Sequence, residues 1–446
     1  MAYGGGTFVK MDKKLAGTYI NNISQPKQLS LFGDRGIVAI GYKNSFGNKG
    51  DMIKLSSSDF AYRCKEIFGY DVWHEKMLPF RELFVNASEV IVYNLGENTK
   101  AKNTYAEALK GGTRGNDLAI KIQANVDEPK KKDVITLLDN EIVDKQTVSQ
   151  VSELKGNKYV KFLGAGDISE PQVKVPLTSG SDGEVTAKEH TEFLGAMEKE
   201  AFNVLLCDSM EKAIQSLYIE HTKRLRDTIG IYFTLVLHGI ESENASFYDD
   251  KCVTVVHNKV KNKGLTGNEL LYYVAGESSS VKIGETTQNK AYRGELEINA
   301  DFTNLELIDL KENGKYVYHK VGDEFRVLED INGKITITDV EGEEFKENQV
   351  IRAIDALSIA DSTRFNKTFM SKNINISSLE TFKNALMDVR EQFVEEGALK
   401  GFNKDSIEVK EVEGQRGVVM ARSEITPPEC FKTLYITNVL TRGGNK

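Results

Sequence analysis

The chain has 446 residues, 40% hydrophobic and 28% charged, so it can bury several cores and falls outside the mainly disordered class. Its 58 Lys and Arg face 66 Asp and Glu, a formal net charge of −8, which argues against a dedicated nucleic-acid binder. The 4 cysteines, at positions 64, 207, 252 and 430, form no CxxC pair, so no zinc ribbon is written and a reducing compartment is expected. The start shows no basic segment followed by an apolar one, so no secretory signal is expected. The longest apolar run, near 229–237, is far short of the ~20 residues of a membrane helix. The expectation is a soluble protein made in the cytoplasm, with about three domains by length.

Residues 1–22 read as an N-terminal arm. Gly4, Gly5 and Gly6 disfavour fixed structure, and Thr7, Phe8 and Val9 form a short strand with little of its own to pair with. Residues 23–95 read as the first part of an α/β core. Strands are expected at 37–40 and 90–93, a helix capped by Ser58 and Asp59 runs to Gly69, and another helix follows Pro79. Residues 96–163 change texture. Alternation at 119–126, a hairpin at 134–143 turning on Asp139 and Asn140, and a strand at 159–163 predict a β-rich inserted domain.

The α/β pattern resumes over 164–345. Thr186 and Glu189 form a capping box. Strands at 204–207, 231–237 and 253–256 alternate with helices, which implies a parallel sheet covered on both faces. His221 falls on an apolar helix face and reads as a packed residue, and the single Trp73 reads as core. Thr266 and Glu269 open a further helix. Tyr316–Tyr318, 325–328 and 335–338 read as antiparallel strands, with Asn332 and Gly333 as a hairpin turn. Residues 346–430 predict an α+β domain of two helices, the second capped by Ser377 and Glu380 and stopped at Gly397, followed by strands. Residues 431–446 form a C-terminal strand arm. The fold class is thus α/β and α+β multidomain: a core sheet flanked by helices, a β-rich insertion, a two-helix plus antiparallel-sheet domain and extended terminal arms.

Chemistry is hard to find. Gly164 and Gly166 follow a strand, but Ser169 replaces the third glycine, and Pro171 and Pro176 block the helix a pyrophosphate needs. Ser181 lies outside a GxSxG elbow. The six histidines fall at no metal-ligand spacing. No catalytic, cofactor or metal residue is assigned, and no enzyme is expected. One alternative remains: an α/β enzyme with a site at the strand ends near Asp208 or His238. The ends of the chain are the unusual part. Phe431, Leu434, Tyr435, Ile436 and Val439 lie in a terminal strand apolar on both faces, which needs partners on both sides. Such a strand can pair within its own sheet or be donated to a neighbour.

Several segments, in order along nearly the whole chain, resemble the tail sheath proteins of contractile phages and phage-tail-like bacteriocins. They are Tyr3-Gly4-Gly5-Gly6-Thr7-Phe8, the stretch from Leu163 to Ser169, the stretch from Pro176 to Gly183, Phe325 to Asn332, the helix over 348–355, and Thr433-Leu434-Tyr435-Ile436. Ser179 stands where the family often has the first of two glycines. The resemblance implies a non-enzymatic subunit that polymerises helically around an inner tail tube and contracts from a metastable extended state. It implies neighbours linked through Thr7, Phe8, Val9, Phe431, Leu434, Tyr435, Ile436 and Val439. The implied partners are further copies of the chain, the tube protein, and baseplate and tail terminator proteins, with no nucleic acid, no cofactor and no membrane insertion. The implied setting is the bacterial cytoplasm, then the assembled tail. A non-contractile tube or capsid component is the other structural reading.

Overall fold

The computed structural model describes residues 35–440, plus two short strands near the N-terminus. Those two, β1 (Gly5–Gly6) and β2 (Thr18–Tyr19), pair in parallel and belong to a separate unit, Met1–Asp34. Thr7, Phe8 and Val9 lie outside the described residues.

The larger unit, Arg35–Lys446, is organised by one sheet. Its first part contains β3 (Ile37–Tyr42), β4 (Met52–Ser56), α1 (Ser57–Phe68), α2 (Leu78–Phe84) and β5 (Glu89–Asn94). The cap of α1 lies two residues before the expected one: Ser56 accepts from the Asp59 backbone, and Asp59 reaches back to Ser56. Trp73 is 80% exposed, a correction to its assignment as core. The Arg81 guanidinium donates to the Val72 and His74 carbonyls at 2.7 and 3.0 Å. That clamps a short loop in which Val72 packs against the core and Trp73 turns outward.

The β-rich region follows, with β6 (Lys100–Lys102), β7 (Ala106–Gly111), β8 (Leu118–Ala124), β9 (Lys132–Leu138), β10 (Glu141–Val148), β11 (Val160–Phe162) and β12 (Gln172–Pro176). Two antiparallel sheets, ordered β10-β9-β8-β12 and β11-β7-β6, enclose one core containing Ala106, Ile120, Val134 and Val160. The β9–β10 turn falls on Asp139 and Asn140, both at positive φ, as a tight hairpin requires. The sandwich runs past residue 163, because β12 adds to β8. Thr99 pairs with Ser181 and Lys102 with Thr178, so both ends of the region leave side by side.

The second part of the core contains α3 (Ala187–Met197), β13 (Val204–Cys207), α4 (Lys212–Arg224), β14 (Thr234–His238), β15 (Val253–Val256), α5 (Glu269–Ser280), α6 (Asn304–Glu312), β16 (Lys315–Tyr316), β17 (Tyr318–Val321) and β18 (Glu324–Val327). The sheet order is β16-β15-β14-β13-β3-β5-β4. Every pair is parallel except β4 with β5. Alternate residues feed opposite faces: Val38, Val90, Leu206 and Val236 pack under α1, α2 and α5, while Ala39, Ile91, Leu205 and Leu235 pack under α3 and α4. Continuous β-branched and leucine runs are what a doubly covered parallel sheet demands. His221 is half-buried on α4, and burial lowers its pKa.

The expected hairpin at Asn332-Gly333 does not form; the hairpin is β17–β18, one turn earlier. Asn332 instead donates to the Phe345 carbonyl at 2.9 Å and accepts from the Lys334 backbone. Gly333 N–H donates to the Val253 carbonyl. The Asn side chain and the Gly amide are thus both used against other segments.

The last region holds α7 (Asn348–Thr368), α8 (Ile376–Glu395), β19 (Gly401–Glu411) and β20 (Val419–Thr426). The α8 cap is Asn375 with Ser378, rather than Ser377 with Glu380.

Ser179 sits at φ 69°, in the left-handed region that glycine occupies without cost. Relief of that strain, about 1–2 kcal/mol, exceeds the unfolded-state freedom a glycine adds, about 0.5–1 kcal/mol. Ser179→Gly should therefore raise the urea midpoint of the β-rich region slightly. Gly180→Ala should lower it by more, because its Cβ would lie 2.5 Å from the Gly112 carbonyl oxygen. Equal effects at the two positions would contradict this.

Candidate functional site

The most unusual surface lies where α7 and α8 carry the β19–β20 hairpin and the chain runs out beyond it. Phe365, Phe369, Phe382, Leu386, Phe402 and Ile407 form a small core between helices and hairpin. Across it, Arg390 of α8 makes a two-pronged bond to Asp361 of α7, at 2.7 and 2.8 Å, and reaches Ser423 of β20 at 3.1 Å. Arg390 is buried. A lone arginine on the apolar stripe Leu386, Val389, Phe393 was its signal in the sequence, which composition and motif searches passed over.

Only β19 and β20 make this sheet. Each strand therefore keeps one outer edge of unpaired backbone groups within the described residues, the condition that templates a further strand.

The segment after β20 divides in two. Its base is docked. Lys400 pairs with Glu429 at 2.7 Å, Cys430 Sγ lies 3.4 Å from Gln288 Oε1, and Lys432 reaches Glu347 at 2.9 Å and Glu329 at 3.5 Å. Residues 433–440 follow with no regular structure, although the sequence predicts a strand there. Leu434, Tyr435, Ile436, Val439 and Leu440 are all exposed, Tyr435 by 92%, and so is Phe431. Five large apolar side chains in eight residues exceed what scattered surface hydrophobics explain. The chain supplies strand-forming residues but, among the described residues, no strand beside them.

The alternative site near Asp208 and His238 is divided by the structure. Asp208 accepts from the Tyr272 hydroxyl at 2.9 Å, and burial raises its carboxyl. It does not line the cavity that His238 lines with His257 and Lys315. The two His238 nitrogens lie 3.0 and 3.1 Å from the Gly239 and Asn258 carbonyls, so the ring is already engaged by backbone. Asp208 and His238 are therefore not brought together as an acid–base pair. Among the described residues no cluster of three or more His, Cys, Asp or Glu could hold a metal ion, and no helix is long and apolar enough to cross a membrane.

Comparison with known proteins then decides the family. Residues 94–182 match the phage tail sheath protein beta-sandwich domain, 183–333 the phage tail sheath protein central domain, and 340–441 the phage tail sheath C-terminal domain. The chain belongs to the phage tail sheath family. The match order follows the structural regions: the sandwich of β6–β12, the parallel sheet, and the α7–β20 region. The phage-like element PBSX protein XkdK of Bacillus subtilis is 27% identical over 441 residues, covering 90% of this chain and 92% of that protein. The sheath tail protein of Desulfitobacterium hafniense superposes with a TM-score of 0.80 at 28% identity, covering 93% of this chain and 97% of that one. The helical sheath of the anti-feeding prophage in its contracted state shares the fold, with a TM-score of 0.55 at 12% identity over 96% of this chain and 99% of that one. The sheath family makes this a structural component of a phage tail or phage-tail-like particle.

Removing Arg390 leaves Asp361 without its partner and frees β20 from α8. Arg390→Ala should cost about 2–4 kcal/mol locally, and limited proteolysis should cut within 400–426 while the parallel-sheet core stays intact. Unchanged protection of the hairpin would show that the apolar contacts alone hold it.

Proposed function

We propose that this sheath subunit polymerises helically around an inner tail tube and contracts from a metastable extended state, driving the tube through a target envelope. One observation carries the reading: the chain has both an exposed apolar, strand-forming segment and a two-stranded sheet with free edges, and the two are not paired with each other. An eight-residue strand spans about 26 Å, the length of β20. In this reading Leu434, Tyr435, Ile436 and Val439 of one subunit add to the β19–β20 sheet of a neighbour, with Phe431 at the point where the arm leaves its docked base, and Thr7, Phe8 and Val9 make the corresponding link from the other end. A head-to-tail link that does not close on itself builds a helical polymer.

Magnitudes indicate what must hold such a link. About eight backbone bonds at ~0.5–1.5 kcal/mol each give ~4–12 kcal/mol. Ordering eight residues costs a similar amount, ~8–16 kcal/mol. The net attachment therefore rests on burying the apolar side chains, at ~1.5–3 kcal/mol each. A flexible tether of this kind lets folded bodies slide past one another while remaining joined. The same reading gives the tube, baseplate and tail terminator proteins as further partners, without nucleic acid, catalysis, cofactor or membrane insertion. It has the β-rich domain, expected over 96–163, face outward and take no part in the links.

A chain ending after Lys432 keeps the docked base of the arm and loses the free segment. It should fold with an unchanged thermal transition and give no polymer by electron microscopy. Ile436→Asp should do the same. Normal tubes from the truncated chain would overturn the link, and unfolding would show that the segment belongs to its own sheet. The outward domain has a separate test. Gly183 abuts the Glu97 backbone, so replacing 98–182 with a short Gly-Ser bridge should leave a soluble subunit that still assembles. Loss of assembly in a folded product would contradict that placement.

A further inference from the structure

At the C-terminal ends of β14 and β15, beside the first residue of β16, lies a cavity of about 430 Å³, lined by His238, Gly239, His257, Phe302, Leu310 and Lys315, among others. The carboxyl ends of parallel strands are where open α/β sheets place ligands, and the volume is in the range of small-molecule sites, ~300–1,000 Å³. Neither the C-terminal arm nor the β19–β20 sheet lines it.

The charges around this cavity do not balance evenly. At its rim Lys259 is paired with Glu241, and Glu243 with Lys212. Asp309 stands exposed at the mouth. Lys315 differs from these. Among the described residues its ammonium has no carboxylate within ion-pair distance and no hydrogen-bond acceptor; it lies over the face of Tyr248, 4.4 Å from the ring centre, and against Gly239. Burial lowers its pKa to about 8, with nothing acting in the other direction. His257 across the cavity is lowered as well, first by burial and then by His238 and Lys315. The floor is thus a half-buried cation short of a counter-charge, beside a histidine that feels the same excess. The wall is apolar: the Phe302 ring lies 5.9 Å from the His257 ring, with Leu310 alongside.

We propose that this cavity binds a small organic anion, a carboxylate or a phosphate monoester, with its charged end on Lys315 and its apolar body against Phe302 and Leu310. The anion supplies the counter-charge the fold omits. Binding requires the protonated amine, so affinity is near full at pH 7 and falls as pH rises through about 8. His238 stays on its two carbonyls and serves as wall. Of the acids facing the cavity, Glu241 and Glu243 are neutralised by their lysines, and Asp309 at the mouth sets a bias against highly charged anions. The inference is independent of the polymer reading.

Equilibrium dialysis of the full-length protein against phenyl phosphate, and separately benzoate, at fixed ionic strength tests this. The expected result is about one saturable site per chain at pH 7. Affinity should fall at least tenfold in Lys315→Met, which keeps the aliphatic stem. It should fall similarly for the unaltered chain at pH 9.5, and stay unchanged in Lys404→Met, an exposed amine of the β19–β20 hairpin that does not line the cavity. Phenyl phosphate bound with benzoate excluded assigns the site to phosphate monoesters, and the reverse to carboxylates. No saturable binding of either probe overturns the proposal, as does equal affinity in a folded Lys315→Met. If that variant does not fold, the pH profile decides: a fall between pH 7 and 9.5 supports Lys315, and a flat profile overturns it.

Discussion

Helix α7 is held by three ion pairs, each to a different part of the subunit. Arg352 meets Asp330 at 2.5 Å, Asp355 meets Arg226 at 2.5 Å, and Asp361 meets Arg390 at 2.7 Å. Burial works against the charge on both Arg226 and Asp355: Asp355 more than offsets it on Arg226, whereas burial leaves the Asp355 carboxyl raised even beside Arg226. Asp330 is buried too, yet Arg352 and hydrogen bonds from Thr287 and Asn348 keep its carboxyl low. Taking such charges out of water costs several kcal/mol per ion, and the attraction repays it only at good geometry. These pairs therefore fix where α7 lies more than they stabilise it. Arg226 also donates to the Phe233 carbonyl at 2.6 Å, at the entry to β14. One helix thus ties the parallel sheet to the C-terminal hairpin.

The base of the arm uses the same helix. Lys432 binds Glu347, the residue that precedes α7, and Glu329. Pull on the proposed arm would pass through Lys432 to the start of α7 and from there into the sheet. The β-rich region stands apart from this path. It is pinned to the core by Arg114, buried against the Gly69 carbonyl and paired with Asp117 and Asp139. The ion pairs of α7 thus lie in one region, and the sandwich joins the core outside it.

Much of the fold was legible because the sheet is doubly covered. Runs such as Val204-Leu205-Leu206-Cys207 read as buried strands because they are short and lie between helical patterns, and the Thr186 capping box marks the start of α3. Apart from the caps of α1 and α8, each set two residues earlier by local bonds, the failures share a cause: tertiary partners that local pattern does not contain. Asn332-Gly333 has hairpin chemistry, but its groups bond to Phe345 and Val253 instead. Trp73 is outside because Arg81 fixes the loop that carries it. Residues 433–440 have strand chemistry and no strand, since they pair with neither free edge of the β19–β20 sheet of their own chain. Arg390 and Lys315 went unnoticed because no motif contains them; each matters through side chains brought near by folding.

The central claim is that the exposed C-terminal segment belongs to a neighbouring subunit. A helical reconstruction by cryo-electron microscopy of the polymer formed by the full-length chain tests it most directly. The account predicts hollow tubes in which density for residues 433–440 leaves its own subunit after Lys432 and runs along an edge of the β19–β20 sheet of the next. Tubes in which that segment folds back onto its own hairpin, with no strand crossing between subunits, would contradict it.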